Sequence, residues 1–456
     1  MGILKSDALD QPQQQMQQHE RSPLLTAHAV ALSVDGDASS DEKRLVAAAD
    51  EQLHAQHLAS DGKTFVSAII SFLGSGVLGF PFAFKQTGIL LGLLLLLLVG
   101  AVSTFCMLLV VECKYKLKQR GILVTTYGDI GHAALGRTGQ AVVNVALVVA
   151  QTGFGVAYLI FIAANAHTYL SVSKEAVVLA CLPFLVAFSL LKHLKQLAYV
   201  ALAADVMNFT GLAIVYMTDF SLIDLSSSTS IQTINWLGVA SSVPFFFGIA
   251  SYCFSAIGMV LPLENAMRTK PHFPRILIAT VTLIGSIYAT FGISGYLAFG
   301  DATQDVVTLN IQGHGGLATT VKLFLCAGLF FAYPLMLVPV FEVLQPAVLR
   351  AVGSSQHAEV TRVVFRAAFV LLTAVIAAGV PNFGLFISFL GSTCCSLLGF
   401  VLPVVFYLRI FTPSPPDKPS SNNNAATHNS KLLVTILALG AFAVITGFYT
   451  AAQSFF

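Results

Sequence analysis

Ile70-Ser71-Phe72-Leu73-Gly74-Ser75-Gly76-Val77-Leu78-Gly79-Phe80-Pro81 lies in an apolar run from 64 to 84 and contradicts its surroundings. A run of that length crosses the roughly 30 Å hydrocarbon core of a bilayer as a helix. Its centre, however, holds glycines and a serine, and a proline follows within two turns. Glycine is the poorest helix former short of proline, and Gly-Ser-Gly leaves backbone amides uncovered by side chains. Lipid offers those amides no partner, so a membrane helix interrupted here needs a reason to expose its backbone. A second stretch breaks the rule in the same way: Phe247-Gly248-Ile249-Ala250-Ser251-Tyr252-Cys253-Phe254-Ser255-Ala256-Ile257-Gly258-Met259-Val260-Leu261-Pro262, small and polar at its centre.

The composition around these stretches is that of a membrane protein. Hydrophobic residues make up 56% of the chain and charged ones 10%, against roughly 25% charged in soluble domains. Eleven spans are predicted, at 64–84, 88–111, 139–167, 175–191, 196–218, 237–262, 276–299, 317–345, 363–380, 384–408 and 432–453. With the N-terminus cytosolic, only Lys85, Lys174 and Lys322 of the 24 Lys and Arg fall on the far side. That asymmetry obeys the positive-inside rule, and one missed span would invert every later loop. The expected fold class is an all-α polytopic membrane protein of about 11 transmembrane helices, occupying 64–456, with the C-terminus facing the lumen or exterior. His167 and Lys322 fall near predicted membrane edges, where long polar side chains reach the headgroups. The seven cysteines lie in spans or at their ends, so no disulfide framework is expected. The sequon Asn208-Phe209-Thr210 falls inside the fifth span, out of reach of glycosylation.

Residues 1–63 differ in kind. They are Gln-rich at Gln11 to Gln18, carry mixed charge and hold too few large apolar residues to fold alone, so a disordered cytosolic tail is expected. No apolar h-region follows Met1, so the first span itself directs insertion. Glu20-Arg21-Ser22-Pro23-Leu24-Leu25 has the spacing of an acidic dileucine signal. In such a signal Glu20 and the Leu24-Leu25 pair engage a coat adaptor, which would send the protein to a vacuolar or lysosomal membrane. Met1-Gly2 with Ser6 fits a minimal myristoylation pattern, from which a polytopic protein gains little.

The first and sixth spans are equivalent members of two five-helix halves, and an odd number per half makes the halves inverted. Glycine-interrupted helices at matching places in inverted repeats point to a midplane substrate site in a secondary transporter. The free N–H groups of a half-helix N-terminus meet an anionic group, and freed carbonyls receive a cation. A zwitterionic amino acid carries both. The alternative is that the glycines only let helices approach closely, as small residues do in membranes.

These residues resemble the amino acid/auxin permease family, near its proton-assisted and vacuolar amino acid transporter branches. The matching segments are Gly74 to Pro81 through Lys85-Gln86-Thr87-Gly88, Tyr127-Gly128-Asp129-Ile130-Gly131, Gln151-Thr152-Gly153-Phe154 with Tyr158-Leu159-Ile160-Phe161, and Phe247-Gly248-Ile249-Ala250 with Ile257 to Asn265. The resemblance implies a leucine-transporter-like fold, a 5+5 inverted repeat with broken first and sixth helices and an eleventh outside. It implies that amides near Gly74, Ser75 and Gly76 bind the substrate carboxylate, and that carbonyls near Ser71 and Ala250 meet its ammonium. Ser251 and Ser255 belong to the same unwound stretch. Phe154, Tyr158, Tyr252, Phe254 and Tyr333 are candidates for lining the cavity, each also readable as ordinary packing. Aromatic crowding favours Ala, Gly, Ser or Pro over Lys or Glu.

Close relatives in that family carry an acidic residue where this chain has Ser255. The first span holds no titratable side chain between Lys63 and Lys85, so a proton carrier must lie elsewhere. Asp205, in the fifth span, is the candidate, because an ionisable group within a membrane is expensive and functional by default; its other reading is a neutral acid bonded to Asn208 or Thr210. Asp129 and His132, beside Tyr127, form either a gate or a solvated loop. No nucleophile and base pair, metal-ligand cluster or phosphate loop appears, so an enzyme is excluded, and neither cofactor nor metal is expected. A proton gradient is the expected energy source, and the bilayer and a small amino acid the expected partners. The net charge of +2 points to no nucleic acid. Three readings follow: a proton-coupled amino acid exporter from an acidic lumen, a plasma-membrane importer or uncoupled carrier, and a transport-deficient amino acid sensor signalling through its tail.

Overall fold

The first predicted span is broken where its glycines fall. In the computed structural model, which describes residues 58–170, 172–190, 194–223, 234–311, 315–352, 358–380, 382–412 and 430–455, helix α1 runs Asp61–Phe72. Leu73 and Gly74 are extended, a 3-10 turn covers Ser75–Gly79, and α2 continues over Phe80–Thr87 with a bend of 48° between the halves. Glu20, Leu24 and Leu25 lie outside the described residues, as does most of the 1–63 tail.

Helices α3 (Ile89–Gln119), α4 (Tyr127–Leu170), α5 (Lys174–Ser189) and α6 (Leu194–Leu222) complete the first half. The sixth span is α7 (Val243–Cys253) and α8 (Ile257–Ala266), separated at Phe254, Ser255 and Ala256. Helices α9 (Phe273–Phe299), α10 (Gly315–Val352) and α11 (Ala358–Gly379) follow. The tenth span begins as α12 (Phe383–Leu390), widens into π turns over Gly391–Cys395 and Leu397–Val401, and ends as α13 (Leu402–Phe411). Helix α14 (Ser430–Phe455) closes the chain.

Among the described residues, nine helices are long and apolar enough to cross a membrane, and the bent pair α1 and α2 makes a tenth. The remaining predicted span is α5, whose 16 residues fall short of the roughly 20 that hydrocarbon requires. Its identity as a full crossing therefore rests on neighbours rather than on length. Helix α4 begins twelve residues earlier than predicted and bends at Gly136, whose φ of +67° an L side chain rarely adopts. Asp129 belongs to α4 and not to a free loop: its Oδ2 accepts from the amides of Thr125 at 3.0 Å and Thr126 at 2.8 Å, capping the helix. Lys322 does not snorkel. It is 3% exposed, because α10 starts before it and packs along α6.

Two contacts hold the broken sixth span in place. Gly248 and Gly391 let α7 and the tenth span touch backbone to backbone: a Cβ on Gly391 would lie 1.8 Å from the Gly248 carbonyl oxygen. Beyond the break, buried Glu264 on α8 accepts from Lys114 and, at 2.7 Å, from the Tyr115 hydroxyl, both on α3. Lys114 also donates to Asn265 Oδ1 at 2.5 Å, and Asn265 donates to the Thr125 carbonyl at 3.2 Å. Removing one member of a buried ion pair strands the other and costs about 3–5 kcal/mol. Glu264→Ala should lower stability by that order in chemical unfolding of the detergent-purified protein, and a Lys114→Met, Glu264→Leu double substitution should recover most of it; equal losses in both would show that the pair's charges are not what matters.

Candidate functional site

The break in the first span frees polar backbone on both sides. The Leu73 amide makes the last bond of α1, to the Ile69 carbonyl at 3.0 Å. The carbonyls of Ile70, Ser71 and Phe72 thereby lose their helical donors, and the amides that open the 3-10 turn, Ser75 and Gly76, have no carbonyl a turn behind them. Ser71 and Gly74 are exposed, whereas Ser75 and Gly76 are buried. Glycine is required at 76, because a Cβ there would lie 2.4 Å from Cys253 Sγ and 2.7 Å from Tyr252 Cδ1.

The sixth span unwinds against this turn. The Phe254 amide still donates to the Ala250 carbonyl at 2.9 Å, but the Ser255 amide turns to Tyr252 at 3.2 Å, and Ala256 to Phe254 at 2.9 Å. Ala250 thus keeps its helical donor, and the carbonyl released next to it is that of Ser251. The Ser251 hydroxyl is buried with no hydrogen-bond partner among the described residues. It faces a small cleft lined also by Ser103, Met107, Phe254, Ser255 and Cys395. The Gly74–Gly76 turn does not line that cleft.

Tyr288 of α9 joins the two breaks. Its hydroxyl lies 3.2 Å from the Phe72 carbonyl and 3.4 Å from the Cys253 carbonyl, the last residues of α1 and α7. One hydroxyl carries one proton, so it donates to one carbonyl at a time. This residue was missed in the sequence, although a tyrosine inside an otherwise apolar span signals a hydroxyl that needs a partner.

Around the first break the predicted side chains divide into two groups. Ser75 Oγ stands 3.4 Å from the Tyr252 hydroxyl, with the Tyr158 hydroxyl beside them. The Phe154 ring meets Tyr252 edge-on at 4.9 Å. Ser75, Gly76, Phe154, Tyr158 and Tyr252 are therefore one cluster, drawn from the first, third and sixth spans. Phe254 turns elsewhere, packing its ring on Tyr288 at 5.5 Å and towards Gly100 of α3. Ser255 lines the same cleft as Cys395 of the tenth span. Tyr333 binds Thr373 Oγ1 of α11 at 2.5 Å and lies over Gly155, joining helices α4, α10 and α11 instead of lining the cluster. Asp205 is half-buried on α6, near enough to Tyr158 to act on its hydroxyl electrostatically.

The cluster's only ionisable side chains are tyrosines, so charge recognition falls to the backbone. Amides of Ser75 and Gly76 offer partial positive charge, and the freed carbonyls of Ser71 and Ser251 offer partial negative charge. That arrangement suits a ligand bearing both an anionic and a cationic group.

Comparison with known proteins agrees with this geometry. The family described as transmembrane amino acid transporter protein matches residues 57–453. Amino acid transporter AVT3A of Arabidopsis thaliana is 37% identical over 407 residues, covering 86% of this chain and 90% of its own. The proton-coupled amino acid transporter-like protein pathetic of Drosophila melanogaster is 28% identical over 374 residues, 78% of each chain. Vacuolar amino acid transporter 3 of Schizosaccharomyces pombe is 26% identical over 361 residues, 77% of this chain and 53% of that one. Among solved structures, a Na+-coupled sialic acid symporter in a substrate-bound outward-open state has a TM-score of 0.54 at 11% identity, covering 86% of this chain and 89% of that one. That likeness concerns the fold alone, which is the leucine-transporter-like one. Matched along nearly its whole length by the family and by a close plant relative, the chain belongs to the transmembrane amino acid transporter family, whose members are carriers and not enzymes.

Proposed function

We propose that this transporter is a proton-coupled carrier of small neutral amino acids, moving them from a vacuolar or lysosomal lumen to the cytosol. The observation that carries the reading is the meeting of the two helix breaks. Freed amides at Ser75 and Gly76 and freed carbonyls at Ser71 and Ser251 lie on half-helices linked through the Tyr288 hydroxyl. A ligand with a carboxylate and an ammonium satisfies both sets at once, and alternating access then follows from tilting the half-helices about their breaks.

Selectivity rests on the aromatic wall. The Tyr252 ring lies on Gly76 and against Phe154, a crowded aromatic wall that disfavours long side chains and supplies no carboxylate to a cationic one. Proton coupling is supported by the likeness to the proton-coupled amino acid transporter-like protein of Drosophila, and the vacuolar membrane by the likeness to the vacuolar transporter of Schizosaccharomyces pombe. The positive-inside distribution supports a cytosolic N-terminus, from which Glu20, Leu24 and Leu25 would be available to a coat adaptor. A plasma-membrane importer or uncoupled carrier and a transport-deficient sensor remain the alternatives.

In proteoliposomes, labelled alanine or proline should be taken up faster when a proton gradient is imposed, with unlabelled small neutral amino acids competing and lysine or glutamate not. Best competition by lysine would refute the substrate class, and binding without uptake would support the sensor. Tyr288→Phe, which removes the hydroxyl between the breaks, should lower uptake at least tenfold while the protein still folds, since displaced binding groups cost orders of magnitude in rate; wild-type uptake would show that the bridge is dispensable. Leu24→Ala with Leu25→Ala should shift a fluorescently tagged protein from the vacuolar or lysosomal membrane to the plasma membrane, and unchanged placement would dismiss the tail signal.

A further inference from the structure

Fourteen positions beyond Asp205, helix α6 carries a second acid, Asp219, which the sequence reading passed over. Asp219 is 0% exposed, and neither carboxylate oxygen has a hydrogen-bond partner among the described residues. It sits where α6, α9 and α2 converge. A Cβ on Gly295 of α9 would lie 3.3 Å from Asp219 Oδ2 and 2.7 Å from Pro81 Cγ, so the acid and the proline both flank the same bare glycine. The hydroxyls nearby are engaged with their own helices: Thr218 with Ile214, Ser221 with Thr218, and Ser294 with Phe291.

Among the described residues, the charged and titratable groups on the packed elements leave the carboxylate without a partner. On α2, Lys85 donates to the Thr303 carbonyl at 3.1 Å. On α9, Tyr296 accepts from the Asn235 amide at 2.9 Å, Tyr288 bonds the helix breaks, and Arg275 lies in the first turn, at the far end. On α6 itself, Tyr216 stacks against Phe291 and Asp205 is four turns away. On α10, Gly211 packs on Leu325 and Asn208 on Gly328, a register that puts Lys322 opposite the turn before Asp219. Cys326 lies a turn further on, Tyr333 bonds Thr373, and Glu342 and Arg350 lie towards the other end of α10.

We propose that Asp219 is the proton-binding site of this carrier, covered as the neutral acid by the half-helix Ser75–Thr87 and released to ionise when that half-helix swings away. The inference rests on the reading of the chain as a proton-coupled transporter. Its physical ground is that an ionised carboxylate buried without donor or counter-ion is strongly unfavourable, whereas the neutral acid is tolerated. One proton adds to a carboxylate oxygen on covering and leaves to water on opening, so charge and atoms balance. Coupling follows from rigidity. The amides of Ser75 and Gly76 and the face that seals Asp219 at Pro81 belong to one half-helix, hinged at Leu73 and Gly74. Substrate carboxylate at one end and proton at the other thus act on the same moving body. With a cytosolic N-terminus, Asp219 lies in the lumenal half of the bundle, on the acidic side.

The test compares wild type, Asp219→Asn and Asp205→Asn in proteoliposomes with and without a pH gradient, together with the infrared carbonyl band of protonated carboxyl groups in the purified proteins. The expected result is that in D219N the ratio of gradient-driven to gradient-free uptake falls to unity and a protonated-carboxyl band present in wild type disappears. Full stimulation in D219N, loss of stimulation in D205N alone, or an unchanged infrared band would overturn the proposal. Should wild type show no stimulation while the band is lost in D219N, the protonated site stands and the coupled-transport reading falls. If D219N does not fold, Asp219→Ser removes the acid with a smaller side chain and is read the same way.

Discussion

Everything in this bundle depends on the rule that a backbone polar group inside a membrane must find its partner within the protein. Continuous helices obey the rule by themselves. The first and sixth spans do not, and their breaks are tolerable because the surrounding helices provide for the exposed groups. Tyr288 supplies a hydroxyl to the ends of α1 and α7, and the Ser388 hydroxyl of the tenth span donates to the Phe245 carbonyl of the sixth. The groups that remain without helical partners are the ones a zwitterion can satisfy. Binding energy and the cost of breaking a helix are therefore two sides of one arrangement.

Small residues make that arrangement close enough to work. Gly76 allows Tyr252 and Cys253 to lie on the first span's turn, and the Gly248 and Gly391 pair brings α7 against the tenth span at backbone distance. Close packing and a freed backbone occur together at these glycines, so one reading does not displace the other. Without the packing at 248 and 391 the break in the sixth span would have nothing to rest on, and without the break at 74 the amides would be sealed in a helix. The ion pair of Lys114 with Glu264 fixes the other half of the sixth span to α3, so the flexible point is confined to Phe254, Ser255 and Ala256.

Two ionisable groups stand out against the apolar background of α6, and they illustrate different physical situations. Asp205 is half-buried and shares its surroundings with a tyrosine. Asp219 is fully enclosed, beside a glycine of another helix and without a hydrogen-bond partner among the described residues. Enclosure is a property of the packed bundle and cannot be assigned to an acid from its place in a hydropathy plot.

The sequence by itself determined the solvent, the order of the spans and the location of both breaks. Those features are local: hydrophobic length, glycine at Gly74 and Gly76, and small polar residues from Ser251 to Ser255 act through the chain's own backbone. It placed Phe154, Tyr158 and Tyr252 rightly in one neighbourhood, because inverted halves bring the first and sixth spans together. Only the tertiary structure decided which way side chains point and what covers them. A residue on a membrane helix has lipid on one side and protein on the other, and both are apolar, so periodicity does not tell them apart. That is why Tyr333 turned out to face Thr373, why Lys322 proved buried, and why Tyr288 and Asp219 emerged only once the helices were packed.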